Sequence, residues 1–449
     1  MQIFDFFYNL ILALIEKKQS PVSCARLIFL LGSVLYNSSG FTLNNPNFQN
    51  TDGFKKNNLI VEENKENFIY ILSFYTLNLI NNTYLQSEIL KEYIEFESNL
   101  IDKHNIQILH INIAKELIKD YLDERYNDGW NIKYDLNNLP NKDNRIKLNE
   151  IEDFNSFQSP FLWTLIENTV PIGGTHGNVK IPFESDKFNY IIMDAYNYYN
   201  NIDLEADTYK VYIKSLNLTD YEKCIAEFWS GNILSPPLFW VFFMIFYFKN
   251  NTETYIDQIN KFNILTISLF VSSIITWKLK YNIYQSRPIQ SIRCINGIDI
   301  NYYYGNTVSN LWKSYINTPP FPDFPSGHST FSCSSCIIFN YLFGDNINEK
   351  EILIDAKNMK LISNLFNNNL IENYDLKNII IKKDTVLKTG EILKNDITLN
   401  FNNWKDMAFN CSESRLYGGI HYSSSCKGAI NIGSQIGNLV LEEYKYIFE

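Results

Sequence analysis

The chain has 449 residues, enough for two ordinary domains or for one large core made of two packed halves. Apolar residues account for 45% of it, which excludes wholesale disorder, and the net charge of −10 argues against nucleic acid or an anionic membrane as a standing partner. In so acidic a chain a cluster of basic residues is local, and local charge usually marks a site.

Residues 1–15 start apolar but carry Asp5 and Asn9 with no Lys or Arg in front, which fits an amphipathic helix better than a signal peptide. Apolar residues recurring at intervals of three and four predict helices over 24–36, 67–80, 87–105, 111–126, 190–199 and 220–230. Between Asn127 and Phe183, Pro140, Pro160, Pro171 and Pro182 stand among many Asn and Gly residues and predict a long irregular connection. Two apolar stretches, Pro236–Phe248 and Phe262–Trp277, are about 13 and 16 residues long, short of the roughly 18 to 20 that span hydrocarbon. They are predicted to be buried core helices, and no transmembrane segment is expected. Residues 344–401 are rich in Asn and Lys and read as a surface excursion, with a small hairpin from the alternating runs Asn378–Lys382 and Asp396–Phe401.

The seven cysteines form no scaffold spacing, which points to a reducing compartment. Cys333 and Cys336 stand one helical turn apart and read as small buried residues, not as a metal or redox pair. We expect an all-α chain with an N-terminal helical half (1–215) and a C-terminal half (216–449). A soluble, intracellular protein is expected, with secretion and oligomerisation left open.

Three short motifs in the C-terminal half carry chemistry. In the first, Lys280 and Arg287 are seven residues apart, nearly one helical face, and Pro288 disfavours helical geometry at Arg287. The guanidinium is therefore expected at a helix end, free to bend toward a ligand. The second, Pro325-Ser326-Gly327-His328, opens a helical run; its first amides converge with the positive end of the helix dipole behind them, a cradle for an oxyanion. The bland alternative is a serine N-cap, but a histidine in a first helical turn fits it poorly, and a neutral imidazole there suits proton transfer. In the third, Arg415 and His421 flank a Gly418-Gly419 corner. Together Lys280, Arg287 and Arg415 supply three positive charges, enough to balance a phosphate-like trianion, while Ser326 and the Gly327 amide add neutral donors.

In this order and spacing the motifs resemble the signature of the family that joins vanadium-dependent haloperoxidases with type 2 phosphatidic acid phosphatase-like acid phosphatases. The segments "SPVSCAR", "KCIAEFWSG", "TPPFPDFPSGHSTFS" and "SRLYGGIHY" resemble the soluble haloperoxidase branch. The resemblance implies two packed four-helix bundles, with Lys280, Arg287, Ser326, Gly327 and Arg415 binding the oxygens of vanadate as cofactor. It implies His421 as the residue bonded to the metal and His328 as the acid–base residue toward peroxide. Trp277 and Phe321 match the positions that line the halide pocket in family chloroperoxidases. One departure stands out: the family's acidic residue four positions after the last histidine, which orients that imidazole, is Ser425 here.

The leading expectation is thus a vanadate-dependent peroxidase oxidising halide with hydrogen peroxide. The alternative is an acid phosphatase without a cofactor, with His421 as nucleophile and His328 as leaving-group acid. Ser425, which cannot stabilise an imidazolium as a carboxylate would, counts against the phosphatase and keeps open a third reading, an oxyanion-binding protein without turnover.

Overall fold

The computed structural model describes residues 4–39, 65–103, 108–150, 159–230, 234–294, 311–347, 374–375 and 378–447. Parts of five sequence expectations lie outside these residues: the first three positions of the N-terminal helix, residues 104–105, the segment 151–158 of the irregular connection, Gly231, and 348–373 with 376–377 of the excursion.

The described residues are mainly helical. The N-terminal half contributes α1 (Phe4–Glu16), α2 (Pro21–Ser39), α3 (Lys65–Ile80), α4 (Glu88–Lys103) and α5 (Ile108–Tyr126). After the long connection come α6 (Lys187–Tyr199), α7 (Leu204–Leu216), α8 (Asp220–Ser230), α9 (Pro236–Asn250), α10 (Tyr255–Ile283), α11 (Pro288–Cys294), α12 (Gly327–Phe343), α13 (Trp404–Tyr417) and α14 (Ser423–Tyr444). The excursion forms a three-stranded antiparallel sheet, β1 (Tyr374–Asp375), β2 (Asn378–Ile381) and β3 (Ile397–Asn400), with Ile381 opposite Ile397 and Asn378 opposite Asn400. The alternating runs expected as a hairpin are β2 and β3, and β1 adds a third strand.

Helix α10 is the axis of the molecule. Thr254 caps its first turn by accepting from the Asp257 amide, and the helix then runs 29 residues, packing against α2, α12 and α14. Its length corrects the sequence expectation of about 16 apolar residues: polar Gln258, Asn260, Asn263, Thr266, Ser272 and Ser273 are buried within it. It is long and apolar enough to cross a membrane, yet 94% of its most apolar window is buried inside the protein. One contiguous apolar core joins α1 and α2 to α10, α12 and α14, from Phe6 to Val440.

The irregular connection does more than link two halves. Gly173, at φ +74°, brings the backbone so close to α10 that a Cβ there would meet the Trp277 indole nitrogen at 2.4 Å. The neighbouring Ile172 carbonyl accepts from Trp277 Nε1 (3.0 Å) and from the Tyr281 hydroxyl (2.8 Å). The connection is pinned at its start by a buried ion pair, Arg26 of α2 with Asp128, and Arg26 also donates to the Arg125 carbonyl (2.8 Å). Removing one partner of such a pair leaves an uncompensated buried charge. Asp128→Ala should therefore lower unfolding free energy by about 3–5 kcal/mol in urea titrations, whereas Lys119→Ala, which breaks an exposed pair with Asp123, should change it by less than about 1 kcal/mol.

Candidate functional site

Tyr284 ends α10 by adopting the left-handed region (φ 53°, ψ 38°). Lys280 thus lies in the last turn of α10, while Arg287 sits in the link to α11, immediately before Pro288. The expectation of one shared helical face is corrected: the two cations come together because the chain turns between them. Both are buried. Lys280 Nζ donates to the carbonyls of Pro322 (2.8 Å) and Asp323 (2.7 Å), and Arg287 donates to those of Phe321 (2.8 Å) and Ile420 (2.7 Å). The proline-rich segment before α12 is therefore held by the cations it faces.

Ser326 caps α12; its hydroxyl accepts from the Ser329 hydroxyl (2.9 Å) and amide (3.4 Å). The serine N-cap, weighed in the sequence as the bland alternative, is present at this turn. Gly327 opens the helix, where a Cβ would sit 3.5 Å from the Trp277 ring, in ordinary contact and on the cavity side. Arg415, in the last turn of α13, donates to Ser414 Oγ (2.8 Å) and to the Ala226 carbonyl (3.2 Å).

The two imidazoles differ in what fixes their protons. His328 Nε2 lies 3.0 Å from the Trp229 carbonyl. A carbonyl only accepts, so Nε2 carries the proton and Nδ1 keeps its lone pair. His421 Nδ1 lies 2.9 Å from Asp323 Oδ1, and its Nε2 lies 3.1 Å from Arg287 Nη1. An ionised carboxylate only accepts and a guanidinium only donates, so Nδ1 holds the hydrogen and Nε2 the lone pair. Burial, then the nearby cations, push the pKa of both histidines well below the ordinary range; Arg287 leads those cations for His421 and Arg415 for His328. Both rings are neutral at pH 7.

Phe321 and Trp277 meet with ring centroids 5.1 Å apart. Lys280 Nζ and Arg287 Cζ both stand over the Phe321 ring, at 5.1 and 4.9 Å, so this phenylalanine is a cation–π platform as well as a cavity wall. A cavity of about 450 Å³ opens onto Phe321, Trp277, Gly327, His328 and His421, and reaches Ile15 to Pro21 in the turn between α1 and α2.

Asp323 escaped the sequence analysis, although it is the acidic residue inside the proline-rich segment and so carried a signal. It is fully buried, and burial raises its carboxyl to about 6 against the lowering pull of Arg287 and Lys280. Ser425 faces it: the carboxylate is bonded to the Ser425 side chain, and Gln285 Nε2 reaches Asp323 (3.5 Å) and Ser425 Oγ (3.4 Å). His421 therefore has a carboxylate partner, and Ser425 is not a missing one. The segment "KCIAEFWSG" also gains a role, because Ala226 and Trp229 of α8 supply the carbonyls that hold Arg415 and His328.

Burial also weighs on the basic side chains of the site. Burial lowers Lys280 well below its ordinary range and Arg287 and Arg415 to about 10, both still cationic at neutral pH. Among the described residues, Asp323 is the carboxylate set against Lys280 and Arg287. Arg287 Nη2 is buried with no hydrogen-bond partner, and a buried guanidinium donor in that position costs free energy unless an acceptor meets it. A tetrahedral oxyanion such as hydrogen vanadate or hydrogen phosphate fits these donors.

Gly327→Ala should separate fold from site. The backbone tolerates a side chain there, so melting temperature should stay level or rise, by the roughly 0.5–1 kcal/mol that alanine gains over glycine inside a helix. The added methyl faces the cavity, so phosphate affinity, read by isothermal titration, should fall about tenfold or more.

Residues 261–449 match the family model of the VCPO second helical-bundle domain. No curated protein matches the chain by sequence. Among solved structures the fold is similar to that of a bacterial vanadium-dependent iodoperoxidase, at 15% identity and a TM-score of 0.59, covering 98% of this chain and 95% of that one. It is similar to a holo-type bacterial vanadium-dependent chloroperoxidase at 13% identity and 0.59, covering 96% and 94%, and to an apo-type one at 15% and 0.55, covering 85% and 84%.

Proposed function

We propose that this chain, whose residues 261–449 match the VCPO second helical-bundle domain and whose fold is similar to that of vanadium-dependent haloperoxidases, belongs to the superfamily joining those enzymes with type 2 phosphatidic acid phosphatase-like enzymes and is a vanadate-dependent peroxidase that oxidises halide with hydrogen peroxide. The observation that carries this reading is an apolar cavity walled by Trp277 and Phe321 and lined by His328 and His421, with the buried basic side chains Lys280, Arg287 and Arg415 close to His421. A phosphomonoester site has no need of an aromatic wall beside its nucleophile; a site that must keep an oxidised halogen away from bulk water does.

Lys280, Arg287 and Arg415, with Ser326 and the Gly327 amide, would hold the oxygens of vanadate, and His421 Nε2 would be its nitrogen ligand. Bound vanadate supplies Lewis acidity that activates peroxide. His328, which lines the cavity, would take up a proton at Nδ1, while its Nε2–H stays on the Trp229 carbonyl and fixes the ring. Trp277 and Phe321 exclude water and form the halide pocket.

One observation favours the phosphatase as the second reading. The carboxylate of Asp323 on His421 Nδ1 is what a nucleophilic imidazole needs, so Ser425 no longer counts against that chemistry. It also removes the reason for a protein without turnover.

Titrating the protein with orthovanadate should give one site per chain, weakened by phosphate in proportion to its concentration; vanadate binding indifferent to phosphate would sink the shared oxyanion site. The loaded protein should then halogenate a phenol dye with peroxide and halide, whereas release of phosphate from a monoester without any halogenation would select the second reading. His421→Ala should abolish tight vanadate binding. His328→Ala should retain it within a few-fold and lose at least about a hundredfold in turnover. Phe321→His should alter halide dependence while vanadate affinity changes little; an unchanged halide profile would remove Phe321 from the pocket.

A further inference from the structure

Resting on the oxyanion-site reading, we propose that Asp323 is the positioning residue of His421, a carboxylate relocated from the helix after the histidine to the proline-rich segment before α12, with Ser425 holding the vacated side of the same hydrogen-bonded group.

Three features separate this arrangement from a chance contact. Asp323 Oδ1 lies 2.9 Å from His421 Nδ1, the shortest contact of that ring, while Arg287 Nη1 stands 3.1 Å from Nε2 and 3.4 Å from Nδ1. The carboxylate is also immobilised from several directions. Its own amide donates to the Gln285 carbonyl (2.9 Å), its own carbonyl accepts from Lys280 Nζ (2.7 Å), and its side chain meets Arg287 Nη1 (3.4 Å) and the Gln285 amide nitrogen. Finally, Ser425, in the first turn of α14, contributes its hydroxyl to Asp323 and its carbonyl to the Ser326 amide (3.2 Å). A carboxylate at position 425 would meet the space that Asp323 fills, so the two positions can trade the acid between them.

The consequence is a fixed role for each nitrogen. With Nδ1–H on the carboxylate, Nε2 keeps its lone pair on the side of Arg287 Nη1, free to bind a metal or phosphorus atom. An acceptor behind a ligating histidine fixes the ring and its tautomer, and its removal typically weakens metal binding by 10–100-fold. The same segment that carries Asp323 ends in Ser326 and Gly327, so the residue that orients the nitrogen ligand and those that hold the oxygens move as one piece.

The test has one arm that needs neither vanadate nor a variant. In 15N-histidine-labelled protein, His421 should appear as the Nδ1-protonated neutral tautomer with a hydrogen-bonded, slowly exchanging Nδ1–H; an Nε2-protonated ring would overturn the proposal whatever the protein catalyses. The second arm uses Asp323→Ser, Ser425→Asp and their combination, read by orthovanadate affinity and by thermal stability. Asp323→Ser should weaken vanadate about 10–100-fold. The combined variant should recover to within about threefold of the natural protein and regain the Nδ1–H signal. Vanadate affinity unchanged in Asp323→Ser would overturn the positioning role, and a combined variant no better than Asp323→Ser would overturn the exchange of positions. If the natural protein binds no vanadate, the peroxidase reading falls, and the tautomer in that same protein still decides for or against Asp323.

Discussion

Lys280, Arg287 and Arg415 are three cations inside a dry helical core, and much of the surrounding structure follows from keeping them there. Burying a charge costs several kcal/mol unless other groups compensate it. Here the compensation comes from backbone carbonyls that point inward from segments unable to form helix or sheet. Pro322, Asp323 and Phe321 lie in a proline-rich run, and Ile420 lies in the Gly418-Gly419 corner. The carbonyls of Ala226 and Trp229 come from the C-terminal part of α8, and they reach Arg415 and His328. The irregular pieces of the chain are concentrated around the site because the charges need their free acceptors.

Much of this was legible in the sequence. The helical periodicities and the pair of alternating runs correspond to helices and strands, because they depend on local patterning that tertiary contacts did not override. The seven residues expected to hold an oxyanion were singled out through short motifs, and the fold sets these motifs close together. What was not legible has a physical cause in each case. Helix α10 extends well beyond its apolar stretch because its polar residues are satisfied inside the core, a condition no hydropathy window can register. Arg287 left the helix face of Lys280 because Tyr284 adopts a left-handed conformation that its residue type does not announce. Asp323 was passed over because its partner, His421, is 98 positions away in the chain, and only the fold sets the proline-rich segment against the corner before α14.

The relation between Asp323 and Ser425 changes how the two enzymatic readings weigh against each other. Taken from spacing alone, a serine at 425 looks like a loss. In three dimensions the acid is supplied from elsewhere, and the serine hydroxyl becomes one of its partners. A carboxylate-backed imidazole serves as a ligand and as a nucleophile alike, so the distinction passes to the cavity: its aromatic wall, His328 in its lining, and the apolar residues toward the mouth.

That cavity is assembled from regions far apart in the chain. Gly327, His328 and His421 line it from the C-terminal part of the chain, while Ile15, Lys18, Gln19 and Pro21 line it from the first turn between helices. Lys18 holds a left-handed backbone there, which shapes that turn. Natural variation can therefore reshape which molecules enter by altering a short exposed turn near the N-terminus, while the machinery for charge and protons stays under separate constraint. Two lineages of such a protein could diverge in what they accept long before they diverge in what they do to it.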